Sequence, residues 1–532
     1  MTSAPPRSIG VVGAGTMGAG IAQLACLSGA RTLLHDPVPE ALERGGQHIR
    51  DALQRSVKRG RRSEPEAAAA AGRLQPVPSL TDLAECELVV EAAPESLELK
   101  RSLFSELSRQ VVTPDCVLAT NTSSLLVTAI AAGAEGPERV VGMHFFNPAP
   151  VMALVEVVAG EQSGGPALAR ARAAGEAMGK HVIDALDGPG FLVNRCNRPF
   201  GLEALRLLSE RVAPLEQIDR ICRMGGGFRM GPFEVMDLVG VDVGLDVARS
   251  FYEQSFGEPR WRPSPVTVRT VAAGRLGRKT GRGYYDYGSD SHRPPDPDPP
   301  PAGGADGLIV IAGESSLAGE LATEAHAAGW EVAAPEEAQG EVPFLILDLS
   351  GGEPAEVPLQ GAPQAICCAA GSLAALDPGG SAVGFHALPP LVQSRCIELT
   401  RGPDTSASAA ARAERFCATL GKHAEWVADA PGLVLGRIVG QVANEAAFAL
   451  GEGVGSAQDI DAGMVHGLSY PRGILRWADE IGLDQVLMVI TALYDERREE
   501  RYRPAPALTA LVLAGRIGRQ SGEGFFGYED PV

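Results

Sequence analysis

The residues best suited to chemistry lie in three short stretches: Asn121-Thr122-Ser123-Ser124, His144-Phe145-Phe146-Asn147-Pro148, and the apolar run Val151 to Val158 with Glu156 as its single carboxylate. An unpaired carboxylate in such a run would be costly to bury. His144, 12 residues upstream, offers a partner. Paired, the carboxylate orients the imidazole and stabilises its protonated form, which makes a general base. Such a base can take the proton of an alcohol while the carbinol carbon gives a hydride to a nicotinamide. A histidine on its own is as readily a satisfied core residue; the Ser and Asn cluster beside a nucleotide fold favours a site.

The elements that must position these groups are parallel strands. Asn121 to Ser124 follow a strand-like run at Cys116 to Ala119, and His144 closes one that starts at Val140. Ligands bind at such carboxyl ends in open α/β sheets. Upstream, Gly13-Ala14-Gly15-Thr16-Met17-Gly18 follows the run Ile9 to Val12 and opens a helical stretch, and Asp36 ends the next run, Thr32 to His35. A lone GxGxxG is weak, but strand, loop, helix and acidic residue together form the dinucleotide fingerprint. Gly13 permits the tight turn, Gly15 lets backbone approach a pyrophosphate, Gly18 allows close helix packing, and Asp36 would take the ribose hydroxyls and favour NAD over NADP. The competing reading is a glycine turn with Asp36 opening an Asp-Pro turn.

With Leu88 to Val90, these runs give a βαβ alternation and a parallel sheet. After Pro189-Gly190 the pattern turns helical, at Phe191 to Leu208, Leu215 to Met224, Pro232 to Leu238 and Leu245 to Phe256. A second glycine cluster, Gly225-Gly226-Gly227 to Gly231, has no strand before it and reads as a loop. Arg293 to Gly304 is a proline-rich, extended linker.

The second half echoes the first. Ile9 to Gly13 resembles Ile309 to Gly313 at an offset of 300; from Val141-Gly142-Met143-His144 against Val383-Gly384-Phe385-His386 the offset is 242, shifting by one near the end where Gly274-Arg275-Leu276-Gly277 matches Gly515-Arg516-Ile517-Gly518, so the second copy has lost 58 residues within its first domain. The reading is an α/β Rossmann domain plus an all-α helical domain, tandemly duplicated with a reduced, degenerate second Rossmann-like domain. The expected boundaries are 1–187, 188–290, a linker at 291–305, 306–427 and 428–532.

The chain has 532 residues, 45% hydrophobic and 21% charged, which suits packed domains rather than disorder. Its net charge of -19 argues against non-specific nucleic-acid or anionic-membrane binding. No apolar run reaches a membrane span, the start lacks a signal-like apolar region, and nine scattered cysteines form no CxxC pair. A cytoplasmic protein with buried free thiols and no metal site is expected.

Taken with Pro189-Gly190-Phe191-Leu192-Val193-Asn194-Arg195 and Gly277-Arg278-Lys279-Thr280-Gly281-Arg282-Gly283-Tyr284-Tyr285, the glycine loop, Asn121 to Ser124 and His144 to Pro148 resemble the 3-hydroxyacyl-CoA dehydrogenase family over residues 8 to 288. In length the chain is similar to the long forms acting on 3-hydroxybutyryl-CoA and 3-hydroxyadipyl-CoA in bacterial phenylacetate catabolism. The resemblance implies NAD-dependent oxidation of an (S)-3-hydroxyacyl-CoA, with His144 as acid/base, Glu156 orienting it, Ser123 binding the reacting oxygen and Asn194 positioning His144 or the substrate carbonyl. It assigns Glu95, Lys100, Asn147 and Lys279 to NAD. The basic stretch Arg55 to Arg62, with Lys58 and Arg59, could receive the phosphates of coenzyme A; a solvated helix end is the competing reading.

In the second copy His386 and Glu398 keep the 12-residue spacing, but Gly15, Asn147, Asn194 and Lys279 become Ser315, Pro389, Gly436 and Gln520, and Ser123 falls near Gly371. That half is expected to be non-catalytic and structural. Because short family members dimerise through the helical domain, the resemblance implies an intrachain pseudo-dimer, with a homo-oligomer also open. Two other functions compete: a dehydrogenase of free 3-hydroxy acids, which typically uses a lysine base, and a silent NAD-binding scaffold.

Overall fold

The computed structural model describes residues 4–288, 291–338, 342–351 and 362–529. Its contacts define two compact units, each built on one sheet: Met1–Arg195 with Gly453–Leu468, and Cys196–Glu452 with Ser469–Val532. These units cut across the boundaries read from sequence: the first takes in one helical segment of the second half, Gly453–Leu468, and the second takes in the first half from Cys196 onward.

In the first unit eight strands run in the order β3-β2-β1-β4-β5-β6-β7-β8. They are β1 (Ser8–Val12), β2 (Arg31–His35), β3 (Leu74–Val77), β4 (Leu88–Glu91), β5 (Val117–Thr120), β6 (Val140–Phe145), β7 (Leu154–Ala159) and β8 (His181–Leu186). All neighbours are parallel except β6 and β7. β4, β5 and β6 are buried throughout, as a sheet covered on both faces requires. On β7 and β8 lies the helix Ala457–Leu468, which comes from the second half of the chain. Its small residues set the approach: a Cβ on Gly463 would meet Val193 at 2.6 Å, and one on Gly467 would meet Leu154 at 2.7 Å.

The second unit carries seven strands in the order β10-β9-β11-β12-β13-β14-β15. They are β9 (Leu308–Ala312), β10 (Glu331–Ala333), β11 (Leu345–Asp348), β12 (Gln364–Cys367), β13 (Val383–His386), β14 (Cys396–Arg401) and β15 (His423–Trp426), again with one antiparallel pair, β13 with β14. Only 11 residues separate β10 from β11, where 52 separate β2 from β4, so most of the shortening falls there. Against β14 packs the helix Leu215–Gly226, from the first half of the chain. Gly225 of this helix faces Leu435 and Cys396 as Gly467 faces Val193 and Leu154, each pair 242 residues apart.

The rest of this unit is helical. Arg437, fully buried, binds Glu203, Glu210 at 2.7 and 3.0 Å, and the Tyr502 hydroxyl at 2.9 Å, joining segments far apart in sequence. Sequence expectations need two corrections. Gly225 and Gly226 close the helix rather than form a loop; only Gly227, at φ 73°, leaves it, and the missing side chains admit Leu435. The run from Phe191 is two helices, Val193–Cys196 and Arg198–Ser209, since Pro199 can occupy a first turn but not a helix interior. The linker is extended but anchored, with Asp296 taking two hydrogen bonds from Arg223 at 3.0 and 2.6 Å. All nine cysteines are free and buried. Among the described residues no helix is long and apolar enough to cross a membrane.

Candidate active site

The antiparallel register of β6 and β7 sets His144 directly opposite Glu156. His144 Nδ1 and Glu156 Oε2 are 2.5 Å apart, and Glu156 is fully buried. Its other oxygen accepts the backbone N–H groups of Leu192 and Val193 at 3.2 and 2.9 Å. A carboxylate can only accept, so Nδ1 carries the proton and Nε2 presents its lone pair. Phe146 and Phe191 flank the ring at 4.7 and 5.6 Å between centroids, which fixes its plane.

Ser123 sits at the end of β5. Its backbone N–H donates to Glu95 at 3.2 Å, as does that of Ser124 at 3.1 Å, while the Thr122 and Ser124 hydroxyls donate to the same oxygen at 2.5 and 2.8 Å. Burial alone would raise the Glu95 pKa, but these bonds and the Lys100 charge hold it below its ordinary value. Asn121 ties the loop to β6, its Oδ1 accepting the Phe145 N–H at 2.8 Å. Ser123 itself is exposed, and its hydroxyl has no protein partner among the described residues. Asn194 is partly buried and Asn147 exposed.

The glycine loop fits a dinucleotide. Gly13 has φ 103° and leaves no room for a Cβ, which would fall 2.6 Å from Ala92 O; a Cβ on Gly18 would strike Gly13 O at 1.8 Å. Over Gly15 the space is open, with nothing within 4 Å of a built Cβ. The helix Thr16–Leu27 that starts there has no side-chain cap and no acidic residue in its first turn, so its N–H groups remain available to a phosphate. Thr16 is exposed and Met17 partly buried. Asp36 accepts Ala14 N–H at 2.8 Å and Val38 N–H at 2.9 Å, placing its carboxylate at the rim of the loop.

Lys100 is placed unlike the other expected cofactor residues. Only 1% exposed, it donates to Glu91 at 2.6 Å and lies 3.3 Å from Glu95. Glu91, missed in the sequence, is fully buried and also accepts from Thr120 and Ala93. A carboxylate ending the buried run Leu88 to Val90 was the available signal. Lys279, in the second unit, pairs with Asp242 at 2.6 Å. Lys58 ends the helix Pro39–Lys58 and Arg59 caps it, both exposed, with Arg55, Arg61 and Arg62 nearby in sequence and no ion pair to any of them among the described residues.

The second sheet repeats the register but not the pair. His386 lies opposite Glu398, yet His386 Nδ1 is buried without a partner, while Glu398 accepts Val434 and Leu435 N–H at 2.8 and 2.9 Å. The ring fills the space over Gly436, where a Cβ would fall 2.2 Å from Cε1. Burial lowers the His386 pKa to about 4 and raises that of Glu398 to about 8. At the second glycine loop, the Ser315 hydroxyl accepts Ala318 N–H at 3.3 Å, capping the helix that a phosphate would otherwise cap.

A dinucleotide loop and a histidine–carboxylate pair on one sheet define a nicotinamide-dependent dehydrogenase. Residues 8–188 match the family model for the 3-hydroxyacyl-CoA dehydrogenase NAD binding domain, and both 190–287 and 432–528 match the C-terminal domain of the same family. A 3-hydroxyadipyl-CoA dehydrogenase of Escherichia coli K12 is 36% identical over 95% of this chain and 98% of its own length. A 3-hydroxybutyryl-CoA dehydrogenase of Mycobacterium tuberculosis is 40% identical, over 53% of this chain and 98% of its own. The crystal structure of 3-hydroxybutyryl-CoA dehydrogenase from E. coli K12 superposes with TM-score 0.81 and 34% identity, covering 96% of this chain and 98% of that one. The chain belongs to the 3-hydroxyacyl-CoA dehydrogenase family.

Proposed function

We propose that the protein oxidises an (S)-3-hydroxyacyl-CoA to the 3-oxoacyl-CoA with NAD. The observation that carries this is the buried His144–Glu156 pair, with Glu156 pinned by two backbone N–H groups and His144 Nε2 left as the base. His144 removes the hydroxyl proton, and Glu156 stabilises the imidazolium that forms. The Ser123 hydroxyl and the Asn194 amide, neither with a protein partner among the described residues, bind the reacting oxygen and the substrate carbonyl. Gly13, Gly15, Thr16, Met17, Gly18 and Asp36 would hold NAD, with Glu95, Asn147 and Lys279 as further contacts. When bound, NAD supplies the hydride acceptor. Lys100 acts through Glu95, whose carboxylate it holds in place. Lys58 and Arg59 would meet the phosphates of coenzyme A.

The second half is a degenerate copy that no longer catalyses: its histidine has lost its carboxylate and its glycine loop caps itself. It serves instead as an internal partner. The exchanged helices and the Arg437 cluster support a pseudo-dimer within one chain. Nine free buried thiols suit a reducing, cytoplasmic compartment.

Turnover of acetoacetyl-CoA and NADH, followed by the NADH absorbance, tests the reading. His144→Ala should lower kcat by ~100-fold or more, the scale of a general base; near-normal turnover would defeat the assignment.

A further inference from the structure

Gly-Lys-His occurs at residues 179–181 and again at 421–423, and the chemistry above uses neither lysine. Lys180 is buried just before β8, and its ammonium reaches the turn that joins β6 to β7, donating to Ala149 O and Met152 O at 2.6 Å each. In that turn the Val151 and Met152 N–H groups both close on Pro148 O, at 2.9 and 3.1 Å. The last carbonyls of such a helical turn lack partners of their own, and a lysine satisfies them. No carboxylate pairs with Lys180 among the described residues, and burial pushes its pKa below the ordinary lysine value.

The second sheet repeats this clamp and adds to it. Lys422 donates to Leu391 O and Ser394 O at 2.7 and 2.9 Å, and the three residues stand 242 positions after Lys180, Ala149 and Met152. There the helix Ser316–Ala328 supplies two carboxylates: Glu324 lies 3.0 Å from Lys422 Nζ, and Glu320 accepts Leu391 N–H. At the offset of 300 these positions are Leu24 and Gly20, on the helix Thr16–Leu27 that opens at the glycine loop. Gly20 lets that helix close on the turn, since a Cβ there would stand 2.9 Å from Pro150 and 3.2 Å from Ala149. A glutamate so near the start of the helix would also oppose the phosphates of a dinucleotide. The β6–β7 turn is thus gripped by the first helix and by Lys180, and it continues from Phe146, whose ring flanks that of His144.

We propose that Lys180 is a positioning residue: by holding the β6–β7 turn, it keeps Phe146 against the His144 ring and seats the turn on the helix that receives NAD. This rests on the oxidation proposed above and adds a residue to it. Lys180 acts through two backbone carbonyls and touches neither reactant.

Steady-state kinetics with acetoacetyl-CoA and NADH test this in Lys180→Met, which has no donor, and in Lys422→Met, the same change in the second sheet. Lys180→Met should lower kcat ~10–100-fold, the scale of a misplaced reacting group. It should raise the KM for NADH at least ~10-fold while that for acetoacetyl-CoA stays within ~2-fold. Lys422→Met, which also strands Glu324, should lower the thermal midpoint at least as much but leave the kinetic constants as they are. A fall in kcat with an unchanged KM for NADH would reduce Lys180 to a structural role; unaltered kinetics, or the same split in Lys422→Met, would equally overturn the proposal. Should Lys180→Met not fold, Lys180→Gln, which keeps donors but no charge, must show the split in smaller degree, and an unchanged KM for NADH there overturns it. Calorimetry with NADH alone reads the proposal apart from turnover: an affinity lowered in Lys180→Met but not in Lys422→Met supports it. A wild type that binds NADH yet leaves acetoacetyl-CoA unreduced would sink the oxidation instead.

Discussion

Replacing Gly467 by leucine tests how far the His144–Glu156 pair, the proposed acid/base, depends on a helix from the other half of the chain. A side chain there must enter space where even a Cβ would stand 2.7 Å from Leu154 Cδ2 and 3.5 Å from both Phe146 and Val193. Phe146 flanks the His144 ring, and Val193 N–H holds Glu156, so the displaced atoms bear directly on that pair. Overpacking of this kind costs ~1–3 kcal/mol, which in a unit of this size lowers the midpoint by roughly 2–4 °C per kcal/mol. A shift of about 1 Å at the histidine would lower kcat ~100-fold. The control is Gly225→Leu, whose built Cβ stands 3.0 Å from Leu435 and 3.3 Å from Cys396. That clash bears on Glu398, which holds no histidine. Steady-state kinetics and calorimetric scans of both variants should show comparable midpoint losses but a fall in kcat for Gly467→Leu alone. Equal kcat losses, or a destabilised Gly467→Leu with normal kcat, would refute the reasoning.

Gly15→Val should abolish NADH binding, read by quenching or calorimetry, because it fills the open space above the first helix, while leaving the fold's circular dichroism intact. Gly436→Asn should destabilise the second unit by ~1–3 kcal/mol through collision with the His386 ring, and His386→Ala in the same chain should recover most of the loss. The second unit should also have a narrow pH range of stability. Glu398, raised from 4.5 to about 8, contributes stability that is complete below 4.5 and lost as pH rises through 8; His386, lowered from 6.5 to about 4, contributes stability complete above 6.5 and lost as pH falls through 4. Scans from pH 4 to 9 should therefore show losses at both ends. Asp219 in the same unit, raised by burial from 3.8 to about 7, shares the alkaline limb, so Glu398→Leu should shrink that limb and leave the part below pH 7; an alkaline limb unchanged in this variant would refute the assignment.

The glycine loop was legible because its spacing, between a strand and a helix, is read along a short continuous stretch of chain. The strands β1, β2, β4, β5 and β6 were legible as apolar runs, and the His144–Glu156 pair because a carboxylate in such a run needs a partner. What escaped depends on packing between distant segments. An amphipathic stripe says that Leu215–Gly226 buries a face, but not that the face lies on the second sheet. The 12-residue spacing of His386 and Glu398 survives unchanged, yet the pair is broken, because a glycine 50 residues downstream gives the ring another place to go. The resemblance assigns Lys100 to NAD without showing its burial, which follows from Glu91, an acid inside an otherwise apolar strand end.

The exchange of helices has a consequence for how the two halves can change. In a symmetric pair of identical subunits, the glycine behind the catalytic sheet and the glycine behind its mate would be one codon, and every adjustment would strike both sites. Here they are Gly467 and Gly225, separately encoded, and so are Asn194 and Gly436. Each position can therefore change alone, and the chain keeps an asparagine at one of them while its counterpart, Gly436, makes room for the His386 ring.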